Sequence, residues 1–151
     1  MNTPRPPKIP ESVLVVIHSA DLEVLLIERA DQPGFWQSVT GSKDALDEPF
    51  ELTARREVAE ETGLLDLTLA PWHERHPGVP FDVDPHGIPA NVAKGEPAHV
   101  HYDFRYAFLV DGAARLSLDG AEVLGARWTS FDEAASLLAP RLATKLPLAL
   151  D

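Results

Sequence analysis

The hydrophobic positions of the chain fall into short runs separated by turn-forming residues. Residues 12–18 (SVLVVIH) are rich in β-branched side chains, and residues 24–28 (VLLIE) form a second apolar run after a predicted turn at residues 19–21 (SAD). Such short, β-branched runs predict two buried strands that pair as a hairpin. Residues 36–40 (WQSVT) predict a third short strand, which we expect Gly41 to end.

One segment has helical periodicity. An apolar stripe recurs at intervals of four residues, at Phe50, Ala54 and Val58. This spacing predicts an amphipathic helix with one face directed inward. We expect Asp47 or Glu48 to cap its start, with Pro49 in the first turn. Gly63 is expected to end it, because glycine readily adopts the left-handed conformation that follows a helix.

The rest of the chain predicts further strands and a final short helix. The strands are expected at residues 64–69, 98–110, 115–118 and 126–129, and the helix at 131–139 with Ser130 as its cap. Residues 71–98 are rich in proline and glycine and predict a long loop. The order β-β-β-α-β…β-β-α favours an α+β, or mixed α/β, sandwich over a regular parallel fold. Prolines within residues 1–10 predict an extended arm before a single domain at 11–151.

Composition and charge narrow the function. The chain has 151 residues, 44% of them hydrophobic, which suits one globular domain. A net charge of −11 would repel nucleic-acid polymers and anionic membranes, so we expect neither as a partner. The absence of cysteine excludes thiolate metal sites and a cysteine nucleophile. No apolar run approaches the ~20 residues of a membrane span and residues 1–10 lack the apolar core of a secretory signal, so we expect a cytoplasmic enzyme.

Three glutamates carry the main chemical signal. Glu57, Glu60 and Glu61 lie at i, i+3 and i+4, so their carboxylates share one face of the predicted helix. They also lie near its C-terminal end, where the helix dipole disfavours an anion by ~0.3–1 kcal/mol. A divalent cation would relieve this repulsion, and an all-oxygen set favours Mg²⁺ or Mn²⁺. The alternative is a solvated acidic helix face. An expected pairing of Arg56 with Glu48 and the glycines on both sides favour the metal site.

The segment from Glu48 to Leu64 resembles the Nudix box, which reads Gly-x5-Glu-x7-Arg-Glu-U-x-Glu-Glu-x-Gly-U with U apolar. Eight specified positions match in register: Glu48, Arg56, Glu57, Val58, Glu60, Glu61, Gly63 and Leu64. The chain departs from the pattern at one place, because six residues instead of five separate Gly41 from Glu48. The departure lies in the turn before the helix and leaves the spacing of the glutamates unchanged.

The resemblance to the Nudix family implies an α/β/α sandwich with a central mixed sheet and one catalytic loop–helix. It implies Mg²⁺-dependent hydrolysis of a pyrophosphate bond in a small phosphorylated molecule. Glu57 and Glu61 are similar to the primary metal ligands, with Gly41 beside them, and Glu60 to a further ligand or a base. Arg56 and Glu48 resemble the pair that orients the helix. Glu122 resembles a distal acid that some members bring to the metal, although a plain loop glutamate is the alternative.

Residues 11–18, 25–31 and 33–42 resemble a bacterial subgroup, the dihydroneopterin triphosphate pyrophosphatases, which also take dATP-like nucleotides. The likeness implies release of pyrophosphate and a monophosphate. Phe35 and Trp36 are candidates to stack a pterin or purine and Gln37 to bind its edge. Arg29 is a candidate phosphate ligand. Burial of both aromatics in the core, and a surface role for Arg29, are the alternatives.

A late strand departs from that subgroup. His99, His101, Asp103 and Arg105 alternate along it, so they are predicted to face one side and to hold phosphate or an extra metal. The alternative is a solvated edge strand. The resemblance also leaves open a Nudix hydrolase of another nucleoside diphosphate linked to X (ADP-ribose, dinucleoside polyphosphate) and a non-catalytic Nudix-fold binding module. A homodimer is open as well.

Overall fold

The computed structural model describes residues 9–151, so the expected arm at 1–10 lies almost entirely outside the described residues. The strands are β1 (Glu11–His18), β2 (Val24–Arg29), β3 (Trp36–Gln37), β4 (Val39–Ser42), β5 (Thr68–Leu69), β6 (Asp82–Ile88), β7 (His99–Leu109) and β8 (Val123–Thr129). The helices are α1 (Phe50–Thr62), α2 (Pro71–Arg75), α3 (Phe131–Leu137) and α4 (Pro140–Leu150), with a short 3-10 turn at Val92–Lys94.

The eight strands form one mixed sheet around β1. On one side β1 runs parallel to β7 along its whole length. On the other side β4 pairs antiparallel with residues 12–15, and β2 reaches β1 only at His18↔Val24. The predicted β1–β2 hairpin is therefore correct only at its turn. Because β4 takes up the rest of that edge, β2 pairs mainly with β8 instead.

Helices cover both faces of the sheet. Alternate apolar residues of β1 and β7, including Val15 and Phe108, pack with Ala54 and Val58 of α1. The residues between them, including Val16 and Ala107, pack with the second group of helices, α3 and α4 among them. This period-two alternation produces two separate apolar clusters, one on each face. The expected mixed α/β/α sandwich is confirmed.

The end of α1 agrees with the sequence prediction, whereas its start does not. Gly63 has φ 75° and its N–H donates to the carbonyl of Ala59, as the sequence predicts. A Cβ at this position would also lie 2.8 Å from the Cβ of Ser117. Both the backbone conformation and the lack of space therefore require glycine here. The predicted acidic cap is wrong, because Pro49 occupies the cap position and no side chain caps the helix. Glu48 instead accepts from Thr53 Oγ1 at 2.6 Å and from Arg56 Nη2 at 2.8 Å.

Prolines misled the prediction in the second half of the chain. The expected loop at 71–98 contains α2, β6 and the 3-10 turn. β6 carries Pro85, which a strand tolerates when it is an edge strand, and among residues 9–151 β6 pairs only with β7. Helix α4 was not predicted, because Pro147 lies inside it.

Other boundaries also differ from those predicted. Residues 115–118 are not a strand, although Leu116 and Leu118 pack on the core, and of 64–69 only Thr68–Leu69 pairs. The strand predicted at 36–40 changes partner at Ser38, from β2 to β1, and continues through Gly41. The strand at 98–110 and the Ser130 cap, which accepts from the N–H of Glu133, are confirmed. Within residues 9–151, no helix is long and apolar enough to cross a membrane.

His73 of α2 is a buried histidine whose two ring nitrogens both have partners. Its Nε2 accepts from the N–H of Ala107 at 3.1 Å, so Nδ1 carries the proton and donates to the carbonyl of Val79 at 3.0 Å. The ring also stacks on Tyr106, with 4.6 Å between centroids. Burial lowers the pKa of His73 below its ordinary value of 6.5, because the charged imidazolium would lose its hydration.

We predict that His73 lowers the free energy of unfolding at acid pH. The unfolded chain takes up a proton as the pH falls through 6.5, while folded His73 stays neutral until a lower pH. Stability is therefore full above 6.5 and falls below it, by at most about 1.4 kcal/mol per pH unit for one proton. Denaturant unfolding between pH 5 and 7.5 measures the slope. His73→Gln, which keeps an acceptor for Ala107, should flatten it relative to wild type, and an equal slope would contradict the assignment.

Candidate active site

Arg56 joins the loop before α1 to the helix itself. Its Nη2 donates to Glu48 Oε1 at 2.8 Å and to the carbonyl of Ser42 at 3.0 Å, while Nη1 donates to Glu57 Oε1 at 2.8 Å. The hydrogen bond from Arg56, reinforced by that of Thr53, lowers the pKa of Glu48 to about 2. The pairing of Arg56 with Glu48 expected from the sequence is present. Arg56 thereby links Ser42, the last residue of β4, to Glu57, the first glutamate of the triad.

Gly41 lies directly against Glu57. A Cβ added at Gly41 would overlap the carboxylate and Cγ of Glu57, which pass over the strand at this point. Only a glycine leaves room for the side chain here. The carboxylate of Glu57 therefore packs against the backbone of β4 and accepts a hydrogen bond from Arg56.

Glu61 is a buried carboxylate with little compensation. The residue is 7% exposed, and its Oε2 has no hydrogen-bond partner within residues 9–151. Burial, together with the charges of Glu57 and Glu122, raises the pKa of Glu61 to about 8. Burial likewise raises the pKa of Glu57, against the opposing effect of Arg56. Glu60, by contrast, is exposed and lies 3.7 Å from Arg56.

This environment suits a bound cation. A carboxylate that is desolvated and surrounded by other carboxylates stays ionised at neutral pH only if positive charge is supplied. Arg56 satisfies Glu57 but leaves Oε2 of Glu61 without a donor in the described chain. The donors are all hard oxygens, the type that Mg²⁺ and Mn²⁺ prefer. The residues therefore fit a hard divalent ion next to Glu61.

A recess of about 250 Å³ opens beside Glu61. It is lined by Arg29, Asp31, Thr40, Glu61, Ala121 and Glu122. Glu122 reaches the site because its carbonyl accepts from the N–H of Ala30, which ties the loop before β8 to the end of β2. Asp31 holds the guanidinium of Arg29 through two hydrogen bonds of 2.7 and 2.6 Å. A larger recess of about 510 Å³, near Phe50 and Tyr106, contains none of the sequence-predicted site residues.

The structure brings Glu57, Glu61, Glu122 and Arg29 together, two of which come from outside the helix. Asp31 and Thr40 belong to the same recess and were missed. Asp31 offered a local signal, since an acid two residues after an arginine can hold its side chain. Thr40 had no signal, because its place in the site depends on how β4 lies under α1.

Of the residues predicted to bind a base, Phe35 directly precedes β3, and Trp36 and Gln37 form that strand. Phe35 is 48% exposed. Trp36 is half-buried against the second apolar cluster, and the guanidinium of Arg127 lies 4.7 Å from its ring centroid. Gln37 Nε2 is 3.5 Å from Thr40 Oγ1, at the limit of a hydrogen bond. Phe35 is thus not a core residue, whereas Trp36 is one in part.

The four alternating residues of β7 share one face, as predicted, but not the face that α1 covers. Arg105 is buried and donates to Asp82 at 3.0 Å and Asp84 at 3.2 Å, and Asp82 also pairs with Arg141 of α4. The positive charge of Arg105 is therefore already paired with these two aspartates. His101 Nε2 lies 2.7 Å from Ser12 Oγ, and His99 is exposed. The structure does not bring these residues to the glutamates of α1.

The chain matches the NUDIX domain family over residues 8–148. It is 51% identical over 55 residues to the dihydroneopterin triphosphate diphosphatase of Escherichia coli K12, covering 36% of each protein. It is 40% identical over 78 residues to the Haemophilus influenzae protein of the same name, covering 50% of this chain and 49% of that protein. The chain thus spans about half, or less, of the length of the curated relatives it matches.

Solved structures have the same fold along almost the whole chain. The E. coli dihydroneopterin triphosphate pyrophosphohydrolase superimposes with a TM-score of 0.73 at 25% identity, covering 95% of this chain and 96% of that one. An Ap4A hydrolase from Caenorhabditis elegans gives a TM-score of 0.67 at 17% identity, covering 91% and 92%. The second likeness shows the fold alone.

We predict that Gly41→Ala damages the site more than the fold. The new methyl group must displace the carboxylate of Glu57, a flexible group, so the free energy of unfolding should change little. Affinity for Mg²⁺, measured by calorimetry, should fall. Gly87→Ala is the matched control, because a Cβ there meets nothing within 4 Å. Unchanged Mg²⁺ affinity in Gly41→Ala would show that the position of Glu57 does not matter for the metal.

Proposed function

The chain belongs to the Nudix family, and on that basis we propose that it is a Mg²⁺-dependent pyrophosphohydrolase of a nucleoside triphosphate-like substrate. The substrate class is dihydroneopterin triphosphate or a dNTP, cleaved to a monophosphate and pyrophosphate. The observation that carries the proposal is the buried carboxylate of Glu61, whose Oε2 has no hydrogen-bond partner in the described chain and which lies next to Glu57 and Glu122. A protein has no structural reason to bury such a group, since the desolvation penalty is large without a counter-charge.

Glu57 and Glu61 would hold the ion, and Glu122 lies close enough to add its charge. A bound Mg²⁺ neutralises phosphate charge and makes the phosphorus easier to attack. Arg56 keeps Glu57 in place through its link to Glu48 and Ser42, so the carboxylate does not have to reorganise during the reaction. Glu60 and Glu122 are the carboxylates available to accept a proton from the attacking water.

Arg29 is the cation placed to meet the substrate. Its guanidinium lines the same recess as Glu61, and its exposed partner Asp31 fixes its orientation. A planar guanidinium suits the paired oxygens of a phosphate group. Arg29 therefore supplies the positive charge that an all-carboxylate site lacks on its substrate side.

The substrate class rests on the relatives and on the residues that precede the helix. The matched relatives are dihydroneopterin triphosphate diphosphatases, 40% and 51% identical over the aligned segments. Exposed Phe35 and half-buried Trp36 offer apolar ring surfaces for a pterin or purine. Gln37 offers an amide that its weak contact with Thr40 leaves largely available.

Glu61→Gln is expected to reduce turnover at saturating Mg²⁺ by at least about a hundredfold, because one metal ligand loses its charge. Thermal stability without metal should not fall, since the substitution removes a buried acid that lacks a partner. Glu51→Gln, on the same helix but paired with Arg55, is the control and should keep its activity. A Glu61→Gln variant with near wild-type turnover would rule out this metal site.

A substrate panel tests the reaction. With Mg²⁺, we expect dihydroneopterin triphosphate or a dNTP to give the highest kcat/KM and to release pyrophosphate rather than phosphate. ADP-ribose and dinucleoside polyphosphates serve as comparison substrates, with products separated by ion-exchange chromatography. Preference for either comparison substrate would overturn the substrate class while leaving the site intact. No hydrolysis of any of them would contradict the enzymatic proposal.

A further inference from the structure

The β6–β7 hairpin carries a second group of titratable side chains. In its register Asp84 lies opposite Asp103, and His86 lies opposite His101. Residues two apart on a strand share a face, so these two cross-strand pairs are neighbours on one surface. Two aspartates directly opposite each other repel, and such a pair weakens a sheet unless a positive charge lies between them.

Arg105 supplies only part of that charge. It donates to Asp84 at 3.2 Å but also to Asp82 at 3.0 Å, and it makes no hydrogen bond to Asp103 within residues 9–151. Asp103 Oδ1 is 3.6 Å from His101 Nε2, too far for a hydrogen bond. That nitrogen lies 2.7 Å from Ser12 Oγ instead. Asp103 is therefore left without close compensation.

His86 directs a nitrogen into this gap. Its Nδ1 is 3.7 Å from Asp103 Oδ2 and 4.0 Å from Asp84 Oδ2. The atom is shielded from solvent and has no hydrogen-bond partner in the described part of the chain. Ligand atoms of Asp84, His86 and Asp103 all lie within 4.8 Å of one another. The glutamates of α1 do not form such a group among residues 9–151.

These separations suit a small metal ion better than direct contact. Ligands about 2.0–2.2 Å from a tetrahedral ion lie about 3.3–3.6 Å apart. The observed 3.7 and 4.0 Å need to shrink by only a few tenths of an ångström. One ligand is already oriented by an outer contact, since Arg105 donates to Asp84 at 3.2 Å.

We propose that Asp84, His86 and Asp103 form a second divalent-metal site, separate from the glutamates of α1, that takes a Zn²⁺-like ion. The donor set of one imidazole and two carboxylates selects borderline metals, whereas Mg²⁺ prefers oxygen ligands and water. His101 stands beside the position left open. The ion cross-links β6 to β7 and neutralises the opposed aspartates.

The test measures Zn²⁺ binding by calorimetry in the presence of excess Mg²⁺. The protein carries Glu57→Gln and Glu61→Gln together, so that the glutamates of α1 contribute no Zn²⁺ affinity. We expect one Zn²⁺ to bind per chain and to raise the melting temperature, since ligand that binds only the folded state stabilises it. If this protein binds no Zn²⁺, the proposal fails, whatever the outcome for the glutamate site.

Ligand variants in the same background locate the ion. His86→Ala should weaken Zn²⁺ binding by at least roughly tenfold and abolish the rise in melting temperature. Asp103→Asn should do the same. His86 Nδ1 has no hydrogen-bond partner in the described chain, so loss of this side chain should leave the metal-free fold unchanged, which circular dichroism checks.

His99→Ala is the matched control, because His99 lies on β7 of the same hairpin but bonds the carbonyl of Pro97. It should bind Zn²⁺ as its parent does. Equal losses in His99→Ala and His86→Ala, or no loss in His86→Ala, would overturn the proposal. Co²⁺ adds a spectroscopic readout, and visible absorption that does not depend on His86 would also contradict it.

Discussion

The crowding of carboxylates around buried Glu61 is the constraint to which the rest of the site responds. Desolvation of buried Glu61, together with the nearby charges of Glu57 and exposed Glu122, raises the pKa of Glu61 to about 8. Of these three carboxylates, Arg56 bonds Glu57, and the charge of Arg29 partly offsets that of Glu61. The remaining repulsion between carboxylates is tolerated because other contacts hold α1 in place. Its apolar stripe packs against β1 and β7, and Arg56 pairs with Glu48. The electrostatic repulsion is thus concentrated at the C-terminal end of α1.

Local spacing made the helical part of this site predictable. Positions i, i+3 and i+4 share a face in any helix, so the grouping of Glu57, Glu60 and Glu61 required no knowledge of the tertiary structure. The left-handed end at Gly63 was predictable for the same local reason. Thr40 and Asp31 were not, because their place in the recess depends on where β4 and the end of β2 lie against α1.

The error at β6 had wider consequences than a missing strand. Alternation along β7 correctly grouped His99, His101, Asp103 and Arg105 on one face. Without β6, however, Arg105 has no evident partner along the chain, so the alternation alone predicts phosphate binding instead of pairing with Asp82 and Asp84. Proline content outweighed the strand signal, yet an edge strand has a free side on which a missing N–H costs little. Pro147 hid α4 in a similar way.

The two charged clusters are linked through one corner of the sheet. Ser12 of β1 contacts both His101 and Ser42, at 2.7 and 3.3 Å, and the carbonyl of Ser42 accepts from Arg56. His101 is therefore connected through Ser12 and Ser42 to Arg56, the residue that positions Glu57. The β1–β4 pairing supports both clusters, since Ser12 lies opposite Ser42 and Val13 opposite Gly41. The corner that leaves room for Glu57 on one face thus also orients a histidine on the other.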